Sequence, residues 1–178
     1  MSGHNKWSKI KRQKAGTDAA KSKIFSKMAR LISTASRQVK GDVNSPVLRT
    51  AIDKAKEYNM PSDNIERAVK KGSGSESEAM EAITYESYGP GGSALVIEAL
   101  TTNRNKAAQE VKFILSKHGF ALAAQGSATW AFKRDPRTHD LEPTTTVKIS
   151  EEDSNALEKL IEELEDNDEV QEVYTNAE

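Results

Sequence analysis

Apolar residues recur every three or four positions through the first 72 residues, the spacing of a buried helix face. Thr17 or Asp18 can cap the first predicted helix, and Gly41 ends it. Its apolar positions are Ile24, Met28, Ile32, Ala35 and Val39.

Two shorter helices are expected next. Ser45 caps the second, with Pro46 at its first position, where a missing N–H costs least. The third follows the turn at Pro61 and is expected to end at Gly72. Because each helix has one apolar face, the three should pack as a small bundle over residues 17–72.

Beyond the Gly/Ser-rich stretch at 72–77 the period changes to that of strands. Residues 82–88 and 94–101 are predicted as two strands joined by the turn Gly89-Pro90-Gly91-Gly92. A strand at 127–132 would place Trp130 and Phe132 on one side. The other predicted elements are a helix from Asn103 to Gly119, a strand at 145–149, a helix capped by Ser150 and a strand at 170–174.

The last strand–helix–strand is too short to bury a core by itself. It should therefore join the preceding strands in one sheet. The predicted fold class is α+β, an N-terminal three-helix bundle followed by a split ferredoxin-like domain. The predicted parts are a basic arm (1–16), the bundle (17–72), a linker (73–81), the α+β domain in two segments (82–134 and 144–178) and a short connection between them (135–143).

Charge is strongly segregated although the formal net charge is only −1. Residues 1–72 hold 17 Lys and Arg against 6 acids, residues 73–134 hold 6 of each, and residues 135–178 hold 3 against 15. Segregation of this kind costs self-repulsion and adds nothing to folding, so it predicts that one end of the chain binds a polyanion. The alternative is that the charges coat solvated helix faces.

The basic cluster is densest at the start of the chain. The first 40 residues contain 11 Lys and Arg and a single acid, Asp18. Lysine predominates, which favours point-charge contacts with phosphates over bidentate recognition of bases. Trp7 lies inside the cluster and can stack on a base or pack against the bundle. A membrane-surface helix is a further use of basic amphipathic sequence, but here the bundle needs the apolar face.

Two other segments are candidates for binding an anion. The turn from Gly89 to Ser93 can present backbone N–H groups, or it is a plain hairpin turn. Arg104 and Lys106 lie at a helix N-terminus, where they either reach a phosphate or pair with acids such as Glu98.

Several classes of function find no support. The three histidines, His4, His118 and His139, lack metal-ligand spacing. There is no phosphate-binding loop and no paired-carboxylate site, so we expect no enzyme, cofactor, metal or small-molecule substrate. The longest apolar run, near 94–100, is too short to cross a membrane. The absence of Cys fits a reducing compartment, and we expect a cytoplasmic protein.

Several motifs, in order along nearly the whole chain, resemble the YebC/PmpR family, which includes the mitochondrial translational activator of cytochrome c oxidase subunit I. They are Gly3-His4-Asn5-Lys6-Trp7, Lys23-Ile24-Phe25-Ser26-Lys27, Asn59-Met60-Pro61, Tyr85-Glu86-Ser87-Tyr88-Gly89-Pro90-Gly91-Gly92 and Asn103-Arg104-Asn105. The resemblance implies a helical domain and two α+β domains, the third inserted into the second. This chain keeps only a short connection where the family carries a domain of roughly 60–80 residues.

The family is described both as DNA-binding transcriptional regulators and as factors that act on ribosomes. The resemblance implies these contact residues: Lys6, Trp7, Lys9, Lys11, Arg12, Lys14, Lys23, Lys27 and Arg104. We expect a non-enzymatic regulator that binds ribosomal or transfer RNA on the ribosome as a translation factor. A DNA-binding transcriptional regulator is the alternative. A protein-interaction adaptor would leave the lysine cluster unexplained.

Overall fold

The computed structural model describes residues 16–178. They divide into a helical unit that ends at Met80 and an α+β unit that begins at Glu81. Each unit has a hydrophobic core of its own.

The helical unit contains α1 (Asp18–Gln38), α2 (Pro46–Glu57) and α3 (Ser62–Ser73). Thr17 caps α1 by accepting a hydrogen bond from the backbone N–H of Ala20 at 3.1 Å. Both shorter helices pack against α1. The predicted three-helix bundle is confirmed, and its core is formed by Met28, Ile32, Ala35, Leu48, Ala51, Ala55, Met60, Ile65 and Ala68.

Two glycines predicted to end helices have different roles. Gly41 has φ +80° and its N–H donates to the Ser36 carbonyl oxygen at 2.9 Å, as expected for a glycine that follows a helix. Gly72 does not end α3, which continues to Ser73. It is buried where α3 passes close to α1, so the prediction for Gly72 was wrong: its small size is needed for packing.

The α+β unit is built on a three-stranded antiparallel sheet. β1 (Glu81–Tyr88) and β2 (Ala94–Thr101) form the predicted hairpin, and β5 (Val170–Thr175) pairs with the other edge of β2. Two helices, α4 (Arg104–Lys117) and α5 (Glu151–Asp166), begin at the predicted caps Asn103 and Ser150.

Both faces of β2 are buried. Leu95 and Ile97 pack with α4 and α5 on one face. Ala94 and Val96 pack on the other face against the segment that includes Phe132. Helices lying on one face of an antiparallel sheet confirm the predicted α+β class.

The segment predicted as a strand at 127–132 has a different structure. A short 3₁₀ turn occupies Thr129–Ala131, and β3 covers only Phe132–Arg134. Phe132 is buried whereas Trp130 is 60% exposed, so the two side chains do not share a side. The predicted alternation fails because a buried carboxylate, described below, binds the backbone N–H groups of this segment.

Residues 145–149 were also predicted as a strand. They form no named strand but lie alongside the C-terminal residues through one parallel bridge, Val147 to Ala177. The Val147 N–H donates to the Asn176 carbonyl oxygen at 2.9 Å, and the Glu178 N–H donates to the Val147 carbonyl oxygen at 2.8 Å.

β3 pairs with β4 (Leu141–Pro143) in a separate antiparallel hairpin. Its connection is closed by local hydrogen bonds. The Asp135 carboxylate accepts from the N–H groups of Arg137 at 2.7 Å and Thr138 at 3.2 Å, and the Asp135 N–H donates to the Asp140 carbonyl oxygen at 2.9 Å.

Candidate nucleic-acid interface

Most of the predicted contact residues precede the described part of the chain. These are Lys6, Trp7, Lys9, Lys11, Arg12 and Lys14, all outside residues 16–178. Their role stays a prediction.

Two predicted contacts, Lys23 and Lys27, lie on α1. Lys23 is half-buried, and Lys27 is only 6% exposed. Both have polar or electrostatic partners within the protein. Lys27 is adjacent to Met28 of the core and one turn from Ile24, which packs against that core, so it lies on the buried side of α1.

A groove between α1 and α3 carries cations that are not among the predicted contact residues. Arg30 lines it from α1, and Arg67 and Lys71 line it from α3. Arg67 donates to the side-chain oxygen of Asn64, which fixes its direction. The signal was present in the sequence, because Arg67 and Lys71 are four residues apart and so lie on one helix face.

The same groove has an acidic contribution. Glu76 and Glu78, from the segment that follows α3, line it together with Ser77. Arg37 of α1 donates to the backbone and the side-chain oxygen of Ser77 and so holds this segment. The groove is therefore mixed in charge, with cations on both helices.

Arg104 lies at the start of α4 with 67% of its side chain exposed. Its guanidinium is 3.3 Å from the Glu81 carboxylate, and the Lys106 ammonium is 3.4 Å from that of Glu169. Both cations at this helix N-terminus thus pair with acids, although Glu98 is not one of them: it binds Arg134 at 2.7 Å. Exposed pairs contribute little stability, so the Arg104–Glu81 pair costs little to break.

The Gly89–Ser93 segment is a hairpin turn. The Gly89 N–H donates to the Ser93 carbonyl oxygen at 2.8 Å, and the Gly92 N–H donates to the Gly89 carbonyl oxygen at 3.1 Å. Gly91 has φ +69° and packs against Ile149. Since these N–H groups are used within the turn, the geometry favours the hairpin over an anion cradle.

A buried carboxylate organises the loop after α4. Glu86, 4% exposed on β1, accepts from the backbone N–H groups of Gly126 at 2.7 Å, Ala128 at 2.9 Å and Thr129 at 2.7 Å. Burial alone would raise the pKa of Glu86, but these three donors outweigh it and hold the pKa below its usual range. The loop is thereby anchored to the sheet.

His118 follows α4, as expected near a helix C-terminus, and its Nε2 lies 2.7 Å from the Glu163 carboxylate of α5. Among residues 16–178 no three His, Cys, Asp or Glu side chains come together as a metal site. None of the helices in that range combines the length and apolarity needed to cross a membrane.

Comparison with known proteins identifies related chains. The sequence is 40% identical to a probable transcriptional regulatory protein of Fervidobacterium nodosum, across 99% of this chain and 93% of that one. It is 37% identical to a protein of the same description from Kosmotoga olearia, across 100% and 94%. A crystal structure of a conserved hypothetical protein from Aquifex aeolicus superposes with a TM-score of 0.77 at 32% identity, covering 90% of this chain and 91% of that one.

The alignment with the Fervidobacterium protein runs over 235 residues, whereas this chain has 178. The model of the TACO1/YebC second and third domain matches residues 80–139 and 135–177, two segments that meet at the β3–β4 hairpin. The chain is therefore shorter than this relative, and the two matched segments of the model adjoin at that hairpin. The model of the TACO1/YebC protein N-terminal domain matches residues 5–75. The chain belongs to the TACO1/YebC family.

Proposed function

We propose that this protein is a non-enzymatic regulator of gene expression that binds ribosomal or transfer RNA on the ribosome and acts as a translation factor in the cytoplasm. The observation that carries the proposal is the surplus of cations in residues 1–72, 17 against 6 acids. A surface of this charge binds phosphate backbones and releases their counterions.

The exposed charges of α3 favour RNA over duplex DNA as the ligand of the helical unit. α2 and α3 are joined by a short turn, as in DNA-binding helix-turn-helix proteins, whose second helix enters the major groove with its N-terminal residues. Here the N-terminal half of α3 exposes two carboxylates, Asp63 and Glu66, against one guanidinium, Arg67. Two carboxylates at that position would repel the phosphates that flank the groove.

A second candidate function is DNA-binding transcriptional regulation. It is favoured by the description of the Fervidobacterium and Kosmotoga relatives as probable transcriptional regulatory proteins. Sequence-specific binding to a promoter would be its signature.

Sedimentation through a sucrose gradient separates the two functions. Under the RNA proposal the protein sediments with ribosomal particles at physiological salt and leaves them as salt is raised. If it stays at the top of the gradient and binds a promoter duplex in preference to a scrambled duplex, the DNA function replaces the RNA function.

Charge reversal tests the surface itself. Replacing Lys9, Lys11 and Lys14 by Glu should weaken RNA binding and flatten the dependence of log K on log salt by roughly 0.7–0.9 per lost phosphate contact. The matched control replaces Lys112, Lys148 and Lys159 of the α+β unit by Glu, which changes the net charge equally. Equal losses in both variants would mean that net charge, and not the N-terminal surface, drives binding.

A further inference from the structure

Two exposed aromatic side chains of the α+β unit converge on one carbonyl oxygen. Tyr88, at the end of β1, donates its hydroxyl to the Ser127 carbonyl oxygen. Trp130 donates its Nε1–H to the same oxygen at 2.7 Å. Tyr88 is nevertheless 42% exposed and Trp130 60% exposed. With their polar tips engaged, the two side chains offer ring surface to solvent.

The backbone of Ser127, to which both rings bind, is fixed by buried contacts on either side. Ser127 lies between Gly126 and Ala128, whose N–H groups both bind the buried Glu86 carboxylate. Ala128 and Ala131 are fully buried against the sheet. A partner therefore meets rings that are already positioned, and binding orders few groups.

The first two cations that follow Trp130 in the chain are paired. Lys133 lies 3.6 Å from the Glu142 carboxylate, and Arg134 lies 2.7 Å from that of Glu98. Because each of these cations is matched by an acid, they add no net positive charge that would attract a phosphate backbone. A flat, uncharged aromatic group gains most, because it can lie against exposed ring faces.

We propose that Tyr88 and Trp130 form a stacking platform for unpaired bases of single-stranded RNA. The inference rests on the proposed RNA-binding function and adds where the bases, as distinct from the phosphates, are held. Bases in a duplex are already stacked on one another, whereas those of loops and ends have free faces. Stacking is tolerant of sequence because every base has a π-face.

Tryptophan fluorescence tests the contact directly. The chain has two Trp residues, so the difference in tryptophan emission between the parent and Trp130→Phe is the emission of Trp130. Titration with single-stranded oligo(U) or oligo(A) should quench this emission, while a blunt RNA duplex of the same length should not. Equal quenching by the duplex, or no quenching by the single strands, overturns the platform.

Affinity gives the second test. Trp130→Ala should weaken binding to the same oligonucleotides by roughly 5- to 150-fold, with an unchanged salt dependence because no phosphate contact is lost. Trp130→Phe should retain most of the affinity. Phe113→Ala, which removes a 69% exposed ring from α4, is the matched control and should bind as the parent does.

The outcomes separate this inference from the function on which it rests. If the parent protein binds RNA and Trp130→Ala binds equally well, the platform is wrong and the proposed function stands. If the parent binds no RNA, the proposed function fails and the platform fails with it. If Trp130→Ala lowers the sedimentation mass but leaves RNA affinity unchanged, the rings face a second copy of the chain, and the platform is again wrong.

Discussion

Gly72 of α3 lies directly against Ser33 of α1: a Cβ atom on Gly72 would stand 2.2 Å from the Ser33 carbonyl oxygen. Backbone on both sides leaves nothing that can move aside. The two helices are further joined by the Ser36 hydroxyl, which donates to the Val69 carbonyl oxygen at 2.7 Å.

We expect Gly72→Ala to destabilise the protein by about 1–3 kcal/mol, the usual cost of overpacking, although alanine is the better helix former. Urea unfolding followed by circular dichroism measures the change. Gly74→Ala is the control, since its Cβ would lie at an ordinary 3.4 Å from the nearest atom, the Lys70 carbonyl oxygen. Equal stability of both variants would show that the two helices separate without cost.

Glu86 should make stability depend on pH. Its folded-state pKa is lowered, so the unfolded chain takes up the proton first as pH falls. The stabilisation is therefore complete above the ordinary glutamate pKa of about 4.3 and is lost as pH falls through the lower folded value.

Glu86→Gln should reduce stability at pH 7 by about 1–3 kcal/mol, because the amide keeps only one of the two oxygens that accept from backbone N–H groups. It should also make the decline in stability from pH 6 to pH 3 shallower than in the parent. Urea midpoints across this range provide the measurement, with Glu142→Gln as a partly exposed control. Parallel curves for Glu86→Gln and the parent would contradict the role assigned to Glu86.

The glycines of the β1–β2 turn differ in their surroundings. Gly91 and Gly92 both have positive φ, +69° and +75°. A Cβ on Gly91 would lie 2.5 Å from Ile149 Cγ2, whereas a Cβ on Gly92 would have no other atom within 4 Å. Each alanine substitution should cost about 1–2 kcal/mol for the left-handed backbone. Gly91→Ala should lower the melting temperature further than Gly92→Ala, and equal melting temperatures would mean that Ile149 gives way.

Arg104 and Glu81 form a pair whose members should affect RNA binding in opposite directions. Arg104→Ala should weaken binding and reduce the salt slope by roughly 0.7–0.9, one phosphate contact. Glu81→Gln should tighten binding at low salt, because it removes a competing carboxylate. Filter binding at several salt concentrations measures both, with Lys112→Ala on the same helix as control. An Arg104→Ala slope equal to that of the parent would exclude Arg104 from the interface.

The elements that the sequence predicts well are those whose signals are local. Thr17, Asn103 and Ser150 each cap a helix through an N–H three residues away. The failures involve distant partners. Glu86 binds the Ala128 N–H from 42 residues away, and this contact turns an expected strand into a loop with an exposed Trp130. The role of Gly72 in packing likewise depends on Ser33, which is distant from it in sequence.

The candidate interface follows the same division. The sign of its charge can be counted along the chain, and the bundle that carries Lys23 and Lys27 follows from helical periodicity. Which lysines face solvent depends on packing: Lys27 is 6% exposed, while Arg67 and Lys71 line a groove with α1. The platform at Tyr88 needed two side chains and a carbonyl oxygen that meet only in three dimensions.

The β3–β4 hairpin lies where the two matched segments of the second-and-third-domain model adjoin. Arg134 and Leu141 are direct register partners, so the two ends of any insertion start about 5 Å apart. A domain inserted there would be joined at two neighbouring strand ends, which residues 135–140 connect in this chain. The hairpin is therefore a position where a domain can be inserted or removed, by evolution or by design, between strand ends that already lie side by side.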